Sequence, residues 1–223
     1  MSVHVPMATP QQITHLPEPV VTPPVRSVYE YASAALRDGP TPAILVFDCD
    51  YTIWPFDCDK HVVAPFTRTF YGGVSDRYGR PSNAYPQVSG IFGAILDSGI
   101  PVAFLSRNPS ADSVRQLLTA TPCLNKVGSI EKSLWDTMPS QDYFHAYSRD
   151  GIGNGKDRHF AALQKASGIP FKNMLFFDDM KDNIDAAARQ GTTSVLLQRN
   201  GLSLQAFIAG VDGWRKRQIN SNA

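Results

Sequence analysis

The chain has 223 residues, long enough for one sizeable α/β domain with its own core. A formal net charge of +1 supplies no basic field for nucleic acid, and 43% hydrophobic residues fit a soluble globular protein. No apolar run approaches the roughly 18 residues a membrane helix needs, and residues 1–25 lack the basic start and apolar core of a secretory signal and the Arg or Lys of a mitochondrial transit peptide.

Residues 1–40 read as a Pro-rich N-terminal extension. Positions 1–24, rich in Pro, Thr and Gln without apolar periodicity, predict a disordered tail or a loosely docked arm. Positions 27–37 predict a short helix closed by Gly39 and Pro40. From 41 to 223 strand and helix signals alternate. A buried strand is expected at 43–47, then a flap or small hairpin at about 54–86, rich in aromatics, Gly and Pro. Val88, Ile91, Phe92, Ile95 and Leu96 recur at helical spacing up to Gly99. A strand at 101–105 and a helix at 111–119, with Ser110 as its N-cap, follow. The interval 123–154 reads as a loop insertion with one extra strand at 143–147. A helix at 157–167 stops at Gly168 and Pro170; then come strand 174–177, helix 183–190 ended by Gly191, strand 193–197 and a short last helix at 203–209. The rhythm predicts an α/β domain, a Rossmann-like, doubly wound parallel sheet with helices on both faces and a small flap. Cys49, Cys58 and Cys123 are odd in number and lack metal-type spacing, so they read as reduced thiols of a cytoplasmic or nuclear protein.

The chemistry concentrates at strand ends, where open α/β sheets bind ligands. Residues 44–52 read Ile-Leu-Val-Phe-Asp-Cys-Asp-Tyr-Thr. Period-2 geometry points Asp48 and Asp50 the same way and turns Cys49 toward the packing. Two like charges so close need something cationic between them, most simply a metal ion and a basic side chain. The strand at 101–105 ends in Ser106-Arg107-Asn108, three hydrogen-bond donors suited to an oxyanion, or an ordinary helix-entry turn. The strand at 174–177 runs into Asp178-Asp179, with Asp182-Asn183 on the next helix. A helix N-cap would use one of the two strand-end carboxylates and leave the other unexplained. Hard oxygen ligands at two strand ends point to Mg²⁺. Lys156 lies in Gly-Ile-Gly-Asn-Gly-Lys-Asp, either approaching an anion or solvated on a loop; a Walker A reading fails because Asp150 and Asp157 stand where Gly and Ser/Thr belong.

In order, Asp-Cys-Asp-Tyr-Thr-Ile-Trp-Pro-Phe (48–56), Ser-Arg (106–107), Gly-Lys (155–156) and Phe-Phe-Asp-Asp-Met-Lys-Asp-Asn-Ile (176–184) resemble the four motifs of the haloacid dehalogenase superfamily. Trp54-Pro55-Phe56 and the Asp212-Gly213-Trp214 region bring the resemblance closest to its magnesium-dependent, acid phosphatase-like family, over residues 43–214. The interval between Ser106 and Lys156 is longer than is usual there, which keeps Lys165 and Lys172 as alternatives to Lys156. The resemblance implies an Mg²⁺-dependent phosphomonoesterase. Asp48 would form an aspartyl-phosphate, Asp50 would move protons, and Thr52 would lock the turn that aims Asp50. Ser106, Arg107, Asn108 and Lys156 would hold phosphoryl oxygens. Metal binding would involve Asp48, Asp50 (through its backbone carbonyl), Asp179 and, indirectly, Asp178. Phosphotyrosine protein and small sugar phosphates both fit an open site, with Trp54, Phe56, Phe66, Phe70 and Tyr71 of the flap as stacking candidates. A non-catalytic phospho-Asp receiver module is the other reading, disfavoured because it has no use for Asp50. No nucleic-acid or membrane partner is expected, and the oligomeric state is left open.

Overall fold

In the computed structural model, which describes residues 24–147 and 155–221, the elements follow in chain order as α1 (Val25–Arg37), β1 (Ile44–Phe47), β2 (Thr67–Arg68), β3 (Val74–Ser75), α2 (Val88–Ser98), β4 (Val102–Ser106), α3 (Ala111–Ala120), β5 (Pro122–Leu124), β6 (Ile130–Ser133), β7 (Phe144–Ala146), α4 (Asp157–Ser167), β8 (Met174–Asp178), α5 (Lys181–Arg189), β9 (Thr193–Leu196) and α6 (Leu204–Ser221). The central sheet has the order β7-β4-β1-β8-β9, and every pairing in it is parallel. From β1 the chain winds outward to β4 and β7, then returns to the other side of β1 for β8 and β9. This is the doubly wound α/β sheet expected from the strand–helix rhythm.

Strand pleat divides the core in two. Leu45, Phe47, Val102, Phe104, Leu175 and Phe177 face a layer containing α1, α2, α3 and α6. Ile44, Val46, Ala103, Leu105, Met174 and Phe176 face Phe160 and Leu163 of α4 and Ala187 of α5. Because both faces are covered, the three inner strands are buried along their whole length and read as unbroken apolar runs. Phe47 anchors the larger layer, with its ring centroid 4.8 Å from that of Phe92 and 5.1 Å from that of Phe177.

Several expectations are corrected. The N-terminal helix is part of the folded unit: Val28, Ala32 and Leu36, spaced by four, are buried, and the Tyr29 hydroxyl donates to Asp97 of α2 at 2.5 Å. The last helix has 18 residues, not seven. Gly210 lies inside this helix, where the lack of a side chain allows close packing, since a Cβ there would stand 2.8 Å from the Phe177 ring. Ser110 makes no side-chain cap; the Asn108 side-chain oxygen accepts its N–H at 2.8 Å. The interval after Cys123 holds the antiparallel β5–β6 hairpin as well as the expected edge strand, β7.

The flap at 54–86 contains the small β2–β3 hairpin, tied down by Arg68, whose Nε donates to the carbonyl of Ala120 at 3.0 Å. Its aromatics do not form the mouth of the site. Trp54 is fully buried, Phe56 stacks on it and Phe66 packs on the core. Phe70 and Tyr71 project into solvent at the hairpin tip, 97% and 94% exposed. The N-terminal arm and residues 148–154 lie outside the described residues.

Candidate active site

β4, β1 and β8 are neighbours, so their carboxyl ends bring residues from 106–108, 48–52 and 178–179 to one edge. The β1 ladder continues one bond beyond the strand, with Asp48 N–H donating to Phe177 O at 3.0 Å. The chain then turns sharply: Thr52 and Ile53 N–H groups both donate to Cys49 O, at 3.2 and 2.8 Å. Tyr51 takes a left-handed backbone, φ 56°, the one such non-glycine among the described residues. Cys49 points into the core as the alternation requires.

Asp48, Asp178 and Asp179 each place a carboxylate oxygen within 4.8 Å of the others. Behind them the fully buried Lys156, at the start of α4, donates from Nζ to Asp48 Oδ1 and, at 2.7 Å, to Asp178 Oδ2. Burial alone would lower this ammonium's pKa, but Asp178 and Asp48 outweigh it and hold Lys156 protonated. Lys165 and Lys172, the alternatives to Lys156, are exposed elsewhere. Gly155 permits the approach because a Cβ there would overlap Ala186 and stand 3.1 Å from Asp182 O. Asp178 is held on both oxygens: Oδ1 accepts Met180 N–H at 2.7 Å, and the Asn183 amide donates at 3.0 and 2.9 Å. Burial, then the charge of Asp178, push the Asp179 carboxyl up to about 6. Burial likewise drives the Asp48 carboxyl upward, with the Lys156 ammonium opposing it. Three carboxylates facing one ammonium leave negative charge to be compensated. An all-oxygen donor set with one half-exposed member fits Mg²⁺, which keeps several waters.

Asp50 stands apart from that triad. Its Oδ1 accepts the Trp54 indole N–H at 2.7 Å and Cys58 N–H at 3.2 Å, and its Oδ2 accepts the Asn108 amide at 2.7 Å. Burial raises its pKa, and the bonds from Asn108 and Trp54 only partly restore it. The Asp50 side chain is thus committed away from the triad, while its expected part in metal binding is through the backbone carbonyl.

A cavity of about 460 Å³ opens here, lined by Asp48, Asp50, Ser106, Arg107, Asn108 and Asp179 among the residues expected from sequence. Buried Ser106 directs Oγ to Asn108 N–H at 3.1 Å, and its carbonyl accepts from His159 Nε2 at 2.8 Å. Arg107 donates to Asn183 Oδ1 at 3.2 Å. The Asn108 amide, on the cavity wall, donates to Asp50 Oδ2. Thr52 holds the turn by its backbone alone: its hydroxyl is buried without a hydrogen-bond partner among the described residues. Sequence reasoning missed Asp57, Asp59 and Lys60 on the cavity wall and gave no role to Tyr51, Met180 and Asn183, which lie inside the motifs it quoted. Asp57 and Asp59 repeat the Asp-x-Asp spacing of Asp48 and Asp50, but sit beyond the strand signal that drew attention to the first pair.

The acid phosphatase family model matches residues 40–217. Human magnesium-dependent phosphatase 1 is 35% identical over 177 residues, 79% of this chain and 89% of that protein. A HAD-like hydrolase superfamily protein of Schizosaccharomyces pombe is 31% identical over 169 residues, 75% of this chain and 92% of its own.

Proposed function

The chain belongs to the acid phosphatase family, among the magnesium-dependent phosphatases of the haloacid dehalogenase superfamily, and from that premise we propose that Asp48 is its nucleophile and Asp50 its proton carrier. The observation that carries the assignment is the separation of the two carboxylates. Asp48 lies against Lys156, Asp178 and Asp179, while Asp50 is held by neutral donors; burial raises both carboxyls, and at Asp48 the buried Lys156 ammonium opposes it. A nucleophile gains from nearby cations, whereas an acid–base group needs a pKa moved toward neutrality.

With one Asp48 oxygen on Lys156, the other is free to attack phosphorus. The leaving oxygen takes the Asp50 proton as the aspartyl-phosphate forms. Asp50, now ionised, takes a proton from water as that water attacks the phosphorus, releasing phosphate and Asp48. Ser106 and Arg107 line the space for the other phosphoryl oxygens, and the buried Lys156 ammonium favours the ionised form of Asp48 against the burial that opposes it. Asp48 and Asp179, with Asp178 behind them, would hold magnesium, which would supply electrophilic pull on a phosphoryl oxygen and offset the carboxylate charge.

The open cavity, its mouth bordered by Tyr51, supports phosphotyrosine protein or small sugar phosphates as substrates. Among the described residues no helix is long and apolar enough to cross a membrane. The three buried free thiols support a cytoplasmic location.

The test is Mg²⁺-dependent phosphate release from phosphotyrosine peptides, phosphoserine peptides and sugar phosphates, with Asp48→Asn and EDTA as controls. Wild-type turnover by Asp48→Asn would sink the nucleophile assignment. Full activity in EDTA would remove the metal from the reaction.

A further inference from the structure

We infer that the groove beside Asp179, walled by Tyr51, Pro55, Tyr85, Leu197 and Arg199, is the leaving-group subsite, and that it selects a flat leaving group bearing a second negative charge. The inference rests on the phosphatase reading and specifies the part of the substrate which that reading leaves open.

The groove is a cavity of about 650 Å³ that shares Tyr51 and Asp179 with the phosphoryl cavity. A phosphoryl group seated at Asp48 therefore has its ester oxygen within reach of a second, larger space. Both walls are tied to the turn that carries the reacting carboxylates. Tyr85 donates its N–H to Ile53 O at 2.9 Å and its hydroxyl to Arg199 O at 3.1 Å. Its ring lies on Gly201, where any Cβ would overlap it. Leu202 N–H donates to Thr52 O at 2.9 Å, fastening the 198–202 loop to the same turn. On the other wall Tyr51 occupies a left-handed conformation that glycine or asparagine adopts more readily. A large aromatic ring kept there at a steric cost indicates that the ring itself is used.

Charge decides which leaving groups suit the groove. Two tyrosines, Pro55 and Leu197 offer flat and apolar surface, and the cation on the wall is Arg199. Its exposed guanidinium forms no ion pair among the described residues. The groove's charges are Arg199 and the shared Asp179, whereas in the phosphoryl cavity five carboxylates (Asp48, Asp50, Asp57, Asp59 and Asp179) outnumber Lys60, which pairs with Asp57, and Arg107. An anionic leaving group is repelled there and attracted here, whereas a cationic one experiences the reverse.

The test uses aryl phosphates that differ only at the para position: carboxylate, carboxamide and aminomethyl. kcat/KM is measured for wild type, Arg199→Gln, Arg199→Glu and Asp59→Asn, so that intrinsic leaving-group differences cancel between variants. The carboxylate-to-carboxamide ratio should fall about two- to fivefold in Arg199→Gln, the size of an exposed ion pair. It should fall further in Arg199→Glu, with the aminomethyl substrate gaining. Calorimetric binding of the matching benzylphosphonates should show the same preference without turnover. Unchanged ratios in both Arg199 variants overturn the inference, as does a shift produced by Asp59→Asn alone. Arg199-dependent phosphonate binding without phosphate release keeps the subsite and overturns the phosphatase reading; absence of binding and turnover overturns both.

Discussion

Trp54→Phe isolates one bond to Asp50, the proposed proton carrier. The indole N–H donates to Asp50 Oδ1 at 2.7 Å from a fully buried ring. Phenylalanine keeps most of that ring's volume and its stacking on Phe56 but has no donor. A hydrogen bond to a charged group is worth about 1.5–3 kcal/mol, and about 1.4 kcal/mol corresponds to one pKa unit. A protonated Asp50 could still have accepted the indole bond, and Cys58 N–H and the Asn108 amide remain in place. Only part of the bond's worth therefore separates the two protonation states, so the expected shift is about one unit. Its sign is upward: the lost donor favoured the carboxylate, and burial already raises this carboxyl. The assay is kcat against pH at saturating Mg²⁺, with Phe56→Leu as a packing control that leaves the bond intact. The Trp54→Phe profile should move to higher pH while the control's stays in place. A Trp54→Phe profile that stays put or moves down refutes the role assigned to Asp50.

Gly155→Ala should lower kcat by about tenfold to a hundredfold, because the new Cβ meets Ala186 and displaces Lys156 from Asp48. Pairing it with Ala186→Gly should recover much of the loss, and thermal melting of both variants separates misplacement from unfolding. In the flap, burial would raise Asp76, but bonds from Arg80 and from the N–H groups of Arg80, Tyr78 and Val63 overcome it and bring its carboxyl down to about 2. The unfolded carboxyl titrates near about 3.9, so this contribution is complete above about pH 4 and disappears as pH falls through 2. Asp76→Asn should flatten that part of an acid-unfolding curve followed by circular dichroism.

Elements whose signals are local could be read directly. The 157–167 helix lies between Lys156 and Gly168 in both readings, and β1 shows its burial as an unbroken apolar run. Where a residue serves a distant partner, local rules pointed the wrong way. The last helix, expected to end at 209, runs on through Gly210, and the Phe177 ring explains a glycine inside it. Trp54 and Asn108 looked like a stacking ring and an oxyanion donor, yet both are bound to Asp50. Arg199 and Tyr85, separated by more than a hundred residues, carry no shared signal at all.

By itself the sequence determined that acidic, hydroxyl and basic groups stand at the ends of buried strands, because residue spacing dictates which side chains share a face. The tertiary structure decided which of them stand together. Strand order set Asp178 and Asp179 beside Asp48 across β8, and α4 carried Lys156 beneath them. Asp50, two residues from Asp48, instead turned toward Trp54 and Asn108. Two identical carboxylates acquired different surroundings because burial and neighbouring charge, which set a pKa, depend on the whole fold.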